Sequence, residues 1–354
     1  MGAAPPDPDQ VRDTRIAGTR PLVSPALLID ELPLPEAAAR VVLHGRKTVT
    51  RILNGDDDRL LVVVGPCSVH DPVAALDYAR RLTELAHELR DRVFVVMRVY
   101  FEKPRSTLGW KGLLNDPRLD GSFQVNEGLR VGRRLLLDIL ALDLPAGCEF
   151  LDPITPQYIA DTVSWGSIGA RTAQSQVHRQ LSSGMSMPIG VKNSTEGDVG
   201  SAVAAVAAAA ASHVFTSVTV DGVAAIFVTR GNPDCHVILR GSTHSTNYDE
   251  ASVEGTLARL DAAGLPRRLL IDASHGNSAK DHRRQPLVAE DVARQRAAGN
   301  RALTGLMLES FLVDGRQELV LGRTADLVYG RSVTDACLDW ETTVAVLRKI
   351  AERR

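Results

Sequence analysis

The chain has 354 residues, of which 44% are hydrophobic and 24% charged, a balance that excludes global disorder, a collagen-like fibre and a small disulfide scaffold. Lys and Arg total 41 against 43 Asp and Glu, a formal net charge of −2, so no global field attracts nucleic acid or an anionic membrane. Length fits either two domains of about 150 residues or one α/β barrel with extensions.

Met1–Arg20 is polar and Pro-rich and reads as a mobile arm. It lacks a charged region followed by an apolar one, and the four cysteines are scattered, so reduced thiols and a cytoplasmic location are expected. Pro25–Asn54 predicts a largely helical stretch whose apolar periodicity has no evident role in a barrel, which points to subunit contacts. A rhythm then begins. Short apolar or β-branched runs fall at Leu60–Val64, Val93–Met97, Ala146–Phe150, Ser167–Gly169, Pro188–Val191, His236–Leu239, Leu269–Ile271 and Leu303–Leu308. Helical patterns separate them, among them Pro72–Leu89, Asn126–Leu142, Thr155–Trp165, Ser175–Ser183, Asp198–Ala211, Ser252–Ala263 and Leu287–Ala298. Eight strands alternating with helices predict a (β/α)8 barrel, with residues 1–58 as an N-terminal extension and 59–354 as the catalytic barrel. His213–Thr229, split by Asp221-Gly222, breaks the rhythm and predicts an inserted β-hairpin with a tight turn. No run is long enough to span a bilayer; the Ala-rich stretch ending at Ala211 is the longest apolar one.

Barrel chemistry sits at the C-terminal ends of the strands. Those ends carry Cys67, Arg98, Glu149, Arg171, Lys192, Arg240, His275 and Glu309, and a further acid, Asp335, follows. Four converging cations suit a substrate with several negative charges, such as a phosphate plus a carboxylate. A thiolate, an imidazole and two carboxylates suit a divalent transition metal better than Ca²⁺ or Mg²⁺. After Arg98 comes Lys103-Pro104-Arg105-Ser106-Thr107, a cradle for a second phosphate in which Lys103 can donate a proton.

Several segments together resemble the type I 3-deoxy-D-arabino-heptulosonate 7-phosphate (DAHP) synthase family, tyrosine-sensitive members in particular. They are Gly65-Pro66-Cys67-Ser68-Val69-His70-Asp71-Pro72, Met97–Arg105, Gly109-Trp110-Lys111-Gly112, Gly169-Ala170-Arg171-Thr172, Ser175–Arg179, Ile238-Leu239-Arg240-Gly241, Ser274-His275-Gly276-Asn277-Ser278 and Thr334-Asp335-Ala336-Cys337. The resemblance runs from about Pro25 to the C-terminus. It departs at Gln174 and Ser194, where the family usually has a carboxylate and a glycine.

This resemblance implies a transferase of the shikimate pathway that condenses phosphoenolpyruvate with D-erythrose 4-phosphate. The metal, Mn, Fe, Co or Zn, would be held by Cys67, His275, Glu309 and Asp335. Phosphoenolpyruvate would be bound by Arg98, Lys103, Glu149 through water, Ala170 through its backbone, Arg171, Lys192 and Arg240. The aldose phosphate would lie over Lys103, Pro104, Arg105 and Thr107. Feedback by an aromatic amino acid, tyrosine first, would act at Pro153, Gln157, Leu181, Met185, Ser186, Phe215, Ser217 and Phe227. A homodimer or homotetramer organised by the N-terminal arm is expected. The rival readings are a 3-deoxy-D-manno-octulosonate 8-phosphate synthase, against which Pro104 and the long arm count, and a non-catalytic barrel that only binds effectors.

Overall fold

The computed structural model describes residues 11–105 and 107–352, so the first ten residues of the expected arm and Ser106 lie outside the described residues. Eight parallel strands close into a barrel: β1 (Leu60–Gly65), β2 (Val93–Arg98), β3 (Ala146–Glu149), β4 (Trp165–Ile168), β5 (Ile189–Lys192), β8 (His236–Leu239), β9 (Leu269–Asp272) and β10 (Leu303–Glu309), in the order β1-β10-β9-β8-β5-β4-β3-β2. The strands outside the barrel are β6 (Val214–Val218), β7 (Ala224–Val228), β11 (Val313–Arg316) and β12 (Arg331–Ser332). Around the barrel run α3 (Pro72–Leu89), α4 (Val125–Leu140), α5 (Pro156–Ile159), α6 (Gln176–Gly184), α7 (Gly200–Ala210), α8 (Glu250–Ala262), α9 (Gln285–Ala297) and α10 (Trp340–Glu352). Local chemistry starts several of these helices. Asp71 accepts from the N–H groups of Val73 (2.9 Å) and Ala74 (3.2 Å) with Pro72 in the first turn, and Asp249 caps α8 by accepting from Ser252 N (2.9 Å). Among the described residues no helix is long and apolar enough to cross a membrane.

Strand alternation divides the core in two. Leu61, Val63, Phe94, Val96, Trp165, Ile238, Leu270 and Met307 pack together inside the barrel, whereas Leu60, Val62, Val64, Val93, Val95 and Met97 pack outward against the helices. Trp165 fits inside only because its neighbouring strands carry glycine. A Cβ at Gly190 would lie 2.8 Å from the indole and one at Gly147 would lie 3.1 Å from it.

Two helices precede the barrel, α1 (Pro25–Glu31) and α2 (Glu36–Asn54). The single stretch expected over 25–54 is broken at Leu32-Pro33-Leu34-Pro35, where two prolines cannot continue a helix. The second helix has a barrel role that its periodicity did not disclose. Val49, Ile52 and Leu53 join the interior cluster and close the barrel's N-terminal end. Thr50 bonds Asp234 (2.9 Å) and Asn54 accepts from Arg268 (2.8 Å), both residues lying just before strands. Burial of this size is worth about 2 kcal/mol per side chain.

Two further expectations change. Thr155–Trp165 is not one helix: α5 gives way to a 3₁₀ turn at Ala160–Thr162, and Trp165 opens β4. The hairpin is present as antiparallel β6 and β7 with Phe215 opposite Phe227, but its turn is longer than a two-residue one. Gly222 N donates to Thr219 O and Thr219 N to Val223 O, with Gly222 at φ +83°, a three-residue loop that needs a left-handed residue at its end. The hairpin tip docks on α1 through Ala26 N to Val220 O (2.7 Å), and its base on α6 through Ser183 and Thr229 hydroxyls (2.7 Å).

Candidate active site

The last inward position of each barrel strand, or for β8 the residue just past it, is polar or glycine: Gly65, Arg98, Glu149, Ser167, Lys192, Arg240, Asp272 and Glu309. The glycine is needed, because a Cβ at Gly65 would meet the Arg98 carbonyl oxygen at 2.5 Å. Above this layer opens a cavity of about 510 Å³. Arg98, Lys103, Pro104, Arg105, Glu149, Ala170, Arg171, Lys192, Arg240, His275, Glu309 and Asp335 all line it. Thr107 is exposed and is not among the lining residues. A larger cleft of about 540 Å³ lies at the opposite end, by Arg59, Arg92 and Arg301, away from every predicted site residue.

The cations on the cavity floor are held firmly. Arg98, 1% exposed, donates from Nε to Pro66 O (3.1 Å) and from Nη2 to Cys67 O (3.1 Å) and Glu309 Oε1 (2.9 Å), and stacks 3.6 Å over the Tyr100 ring. Burial works against its charge, but Glu309, Tyr100, Cys67 and Asp272 together outweigh this and raise its pKa. Lys192 pairs with Asp272 at 2.9 Å. Burial lowers the Arg240 pKa, with Asp272 opposing the effect and Arg171 adding to it. An anion bound between these guanidinium groups would favour their charged forms. At the rim, Lys103 and Arg105 belong to the loop after β2. Burial opposes the Lys103 charge, yet Cys67, Glu309 and Glu149 more than offset this, and its pKa is raised. Glu149 has room beside Gly169, where a Cβ would fall 2.5 Å from its Oε1.

Against Arg98 and Lys103, ligand atoms of Cys67, Glu309 and Asp335 lie within 4.8 Å of one another. His275 stands beside this triangle rather than in it, its Nε2 3.8 Å from Glu309 Oε1. The residue has φ +56°, a strained conformation for a non-glycine, and its Nδ1 lies 2.9 Å from Asp272 Oδ2. Gln285 fixes the end of β10 by bonding both the N–H (2.8 Å) and the carbonyl (3.0 Å) of Glu309. The donor set fits a divalent transition metal. Burial and Glu309 push the Cys67 thiol up to about 11, Lys103 Nζ donates to its sulfur (3.2 Å), and a cation among these groups relieves the crowding of thiol and carboxylates. Burial would raise the Asp335 carboxyl, but His275, Lys103 and Arg98 hold it below its usual range.

Asp272 was missed from sequence because β9 runs one residue further than its apolar run. It joins Lys192 to His275; burial would raise its carboxyl, but Lys192 and the hydrogen bonds from His275 and Ser274 hold it well below the usual range. Tyr100, Lys280, His282 and Arg316 also went unread, and the last three line the cavity. Of the expected effector residues, Leu181 is buried, Met185 and Gln157 half-buried, and Pro153 and Ser186 exposed. Phe215, Ser217 and Phe227 share the half-buried face of the hairpin, with the two rings 6.0 Å apart.

Residues 36–348 match the model of the DAHP synthetase I family. The chain belongs to this family. It is 54% identical to the Phe-sensitive phospho-2-dehydro-3-deoxyheptonate aldolase of Escherichia coli K12, over 96% of each chain. It is 48% identical to the Tyr-sensitive enzyme of the same bacterium, over 97% of this chain and 96% of that one. The solved structure of the Francisella tularensis aldolase superposes with a TM-score of 0.93 at 47% identity, covering 96% of this chain and 98% of that one. The family and the strand-end reading therefore agree on a DAHP synthase barrel.

Proposed function

We propose that this chain condenses phosphoenolpyruvate with D-erythrose 4-phosphate and water to give DAHP and inorganic phosphate, the entry step of the shikimate pathway. The observation that carries the reading is that the cavity lined by the cation cluster is lined also by His275, Glu309 and Asp335, and that the buried Cys67 brings a ligand atom within 4.8 Å of those of both acids.

Arg171, Lys192 and Arg240 hold the phosphate and carboxylate of phosphoenolpyruvate, with Arg98 fixed beneath them. Two mutually repelling anions are thereby kept in one orientation, the source of much of the rate. Cys67, His275, Glu309 and Asp335 would hold the divalent metal, which when bound supplies Lewis-acid polarisation of the aldehyde oxygen. The methylene carbon of phosphoenolpyruvate forms a bond to the aldehyde carbon. Lys103, kept protonated, donates its proton to the oxygen that becomes the new hydroxyl. Glu149 holds the water that adds to the electron-poor enol carbon, and phosphate leaves by cleavage of the carbon–oxygen bond. Pro104 and Arg105 orient the sugar phosphate.

Turnover of phosphoenolpyruvate with four- and five-carbon aldose phosphates, before and after chelation, tests this. Release of phosphate with erythrose 4-phosphate alone, lost on chelation and restored by Mn²⁺ or Zn²⁺, is the expected result. Preference for the five-carbon sugar, or full activity after exhaustive chelation, overturns it. Feedback by tyrosine at the hairpin face, a homodimer or homotetramer and a cytoplasmic location complete the proposal. The first two are supported by the Ser183–Thr229 junction between hairpin and α6 and by the exposed apolar outer face of the hairpin at Val214, Ile226 and Val228.

A further inference from the structure

The loop after β2 carries Lys103 and Arg105, and most of its bonds are to itself. Lys103 N donates to Lys111 O (2.9 Å) and Leu113 N to Phe101 O (2.8 Å). Arg105 Nε donates to Trp110 O (2.8 Å), and the Trp110 indole to Asp116 O (2.9 Å). Gly112, at φ +118°, allows the two legs to approach, since a Cβ there would sit 1.8 Å from the Phe101 carbonyl oxygen. Such a self-bonded loop can move as a unit unless something fixes it to the barrel. Phe101, Trp110 and Leu113 anchor it in the core and Lys103 Nζ reaches Cys67 Sγ (3.2 Å), and its tie to the loop after β3 is Glu102, a residue with no part in the reaction proposed above and only 5% exposed.

Its two carboxyl oxygens face consecutive backbone donors of the loop after β3. Oε2 accepts from Leu151 N (3.4 Å), and Oε1 from Asp152 N (3.3 Å) and Thr155 Oγ1 (3.5 Å). The receiving loop is itself anchored, because Leu151 O is bonded to His178 Nε2 on α6 (2.7 Å). Leu151 lies two residues beyond Glu149, and Glu102 adjoins Lys103. One side chain thus ties the neighbour of the proton donor to the neighbours of the residue that holds the water.

We propose that Glu102 is a positioning residue, a clamp that sets the reach of Lys103 and Arg105 relative to Glu149 by fastening the loop after β2 to the loop after β3. The inference rests on the roles given to Lys103 and Glu149 above. Burial among Asp152 and Glu149 pushes the carboxyl up to about 8, so a neutral group that keeps a carbonyl-type acceptor is what the site holds near neutral pH.

The test compares wild type, Glu102→Gln and Glu102→Ala as metal-loaded enzymes. The readouts are kcat, KM for each substrate, phosphoenolpyruvate affinity by calorimetry, and hydrogen exchange over 101–113. A 1 Å misplacement of reacting groups costs about 100-fold in rate, so Glu102→Ala is expected to lose between about 10- and 100-fold in kcat. Its KM for the aldose phosphate should rise, its phosphoenolpyruvate affinity should stay unchanged and exchange over the loop should be faster. Glu102→Gln, which keeps an acceptor oxygen, should stay close to wild type in all four. Unchanged kcat and loop exchange in Glu102→Ala overturns the clamp. So does a Gln variant as impaired as the Ala variant, or a loss shared equally by phosphoenolpyruvate affinity and every other parameter. If wild type turns over no aldose phosphate while exchange in Glu102→Ala still rises, the assigned reaction fails and the clamp stands.

Discussion

Cys67 is 1% exposed, and burial with Glu309 and Asp335 outweighs Lys103 and keeps its thiol from ionising unless a metal ion shares the site. Cys67→Ala is expected to lose bound metal and activity together while its melting curve stays close to that of the chelated wild type. Stoichiometric metal in an inactive variant would remove Cys67 from the ligand set. The Arg98–Glu309 pair is buried on both sides, at 1% and 2% exposure, so Glu309→Ala leaves an uncompensated charge and should cost about 3–5 kcal/mol in denaturant unfolding. Glu102 makes a different prediction. Its folded carboxyl titrates at about 8 against an ordinary 4.5, so the folded state holds the proton more tightly. The associated stability is complete below about 4.5 and is lost as the pH rises through about 8. Glu102→Gln cannot ionise and keeps it. The Tm of the Gln variant relative to wild type should therefore climb between pH 5 and pH 8.5, by on the order of 5 °C. A difference that stays flat over that range would contradict the raised value.

At the scale of elements, α2 is part of the barrel core, and this alters how the arm is to be tested. Ile52→Ala should destabilise by about 2–5 kcal/mol, read from chemical unfolding, because it opens a cavity beneath the interior cluster. Deleting everything before Leu60 would strip that seal along with the arm. A deletion ending at Pro35 spares it, and should change the number of subunits per particle in light scattering; an unchanged number refutes the role of the arm in assembly. The barrel itself was legible because short apolar runs alternate eight times with helical patterns, and each run ended close to its last inward residue. Hence Arg98, Glu149, Lys192, Arg240 and Glu309 were found from spacing. Cys67, His275 and Asp335 lie beyond strand ends, so the strand-end reading offered them only as a possible metal set, and the family resemblance made them the implied ligands. The seal on the barrel was not legible, since periodicity reveals that a helix has a buried face but not what covers it. Trp165 was assigned to a helix because the two glycines that make space for it belong to other strands.

For the whole molecule, regulation and access follow from how the parts are joined. Tyrosine should lower the initial rate, with phenylalanine and tryptophan weaker, and Ser186→Phe should abolish the effect by blocking the hairpin face. Inhibition that survives the substitution would place the switch elsewhere, and equal rates with every amino acid would show that none operates. Access is decided by the helix that seals the lower end. With Val49, Ile52 and Leu53 across the N-terminal mouth, ligands meet the cavity from its upper side. Arg98, Lys192 and Arg240 lie at the floor, at 1%, 3% and 7% exposure, whereas Lys103 and Arg105 belong to the rim. A well with one mouth imposes a queue. The three-carbon acid must enter before the sugar phosphate stops the opening, and initial-velocity patterns should be those of compulsory order, with the sugar phosphate trapping pre-bound phosphoenolpyruvate in an isotope chase.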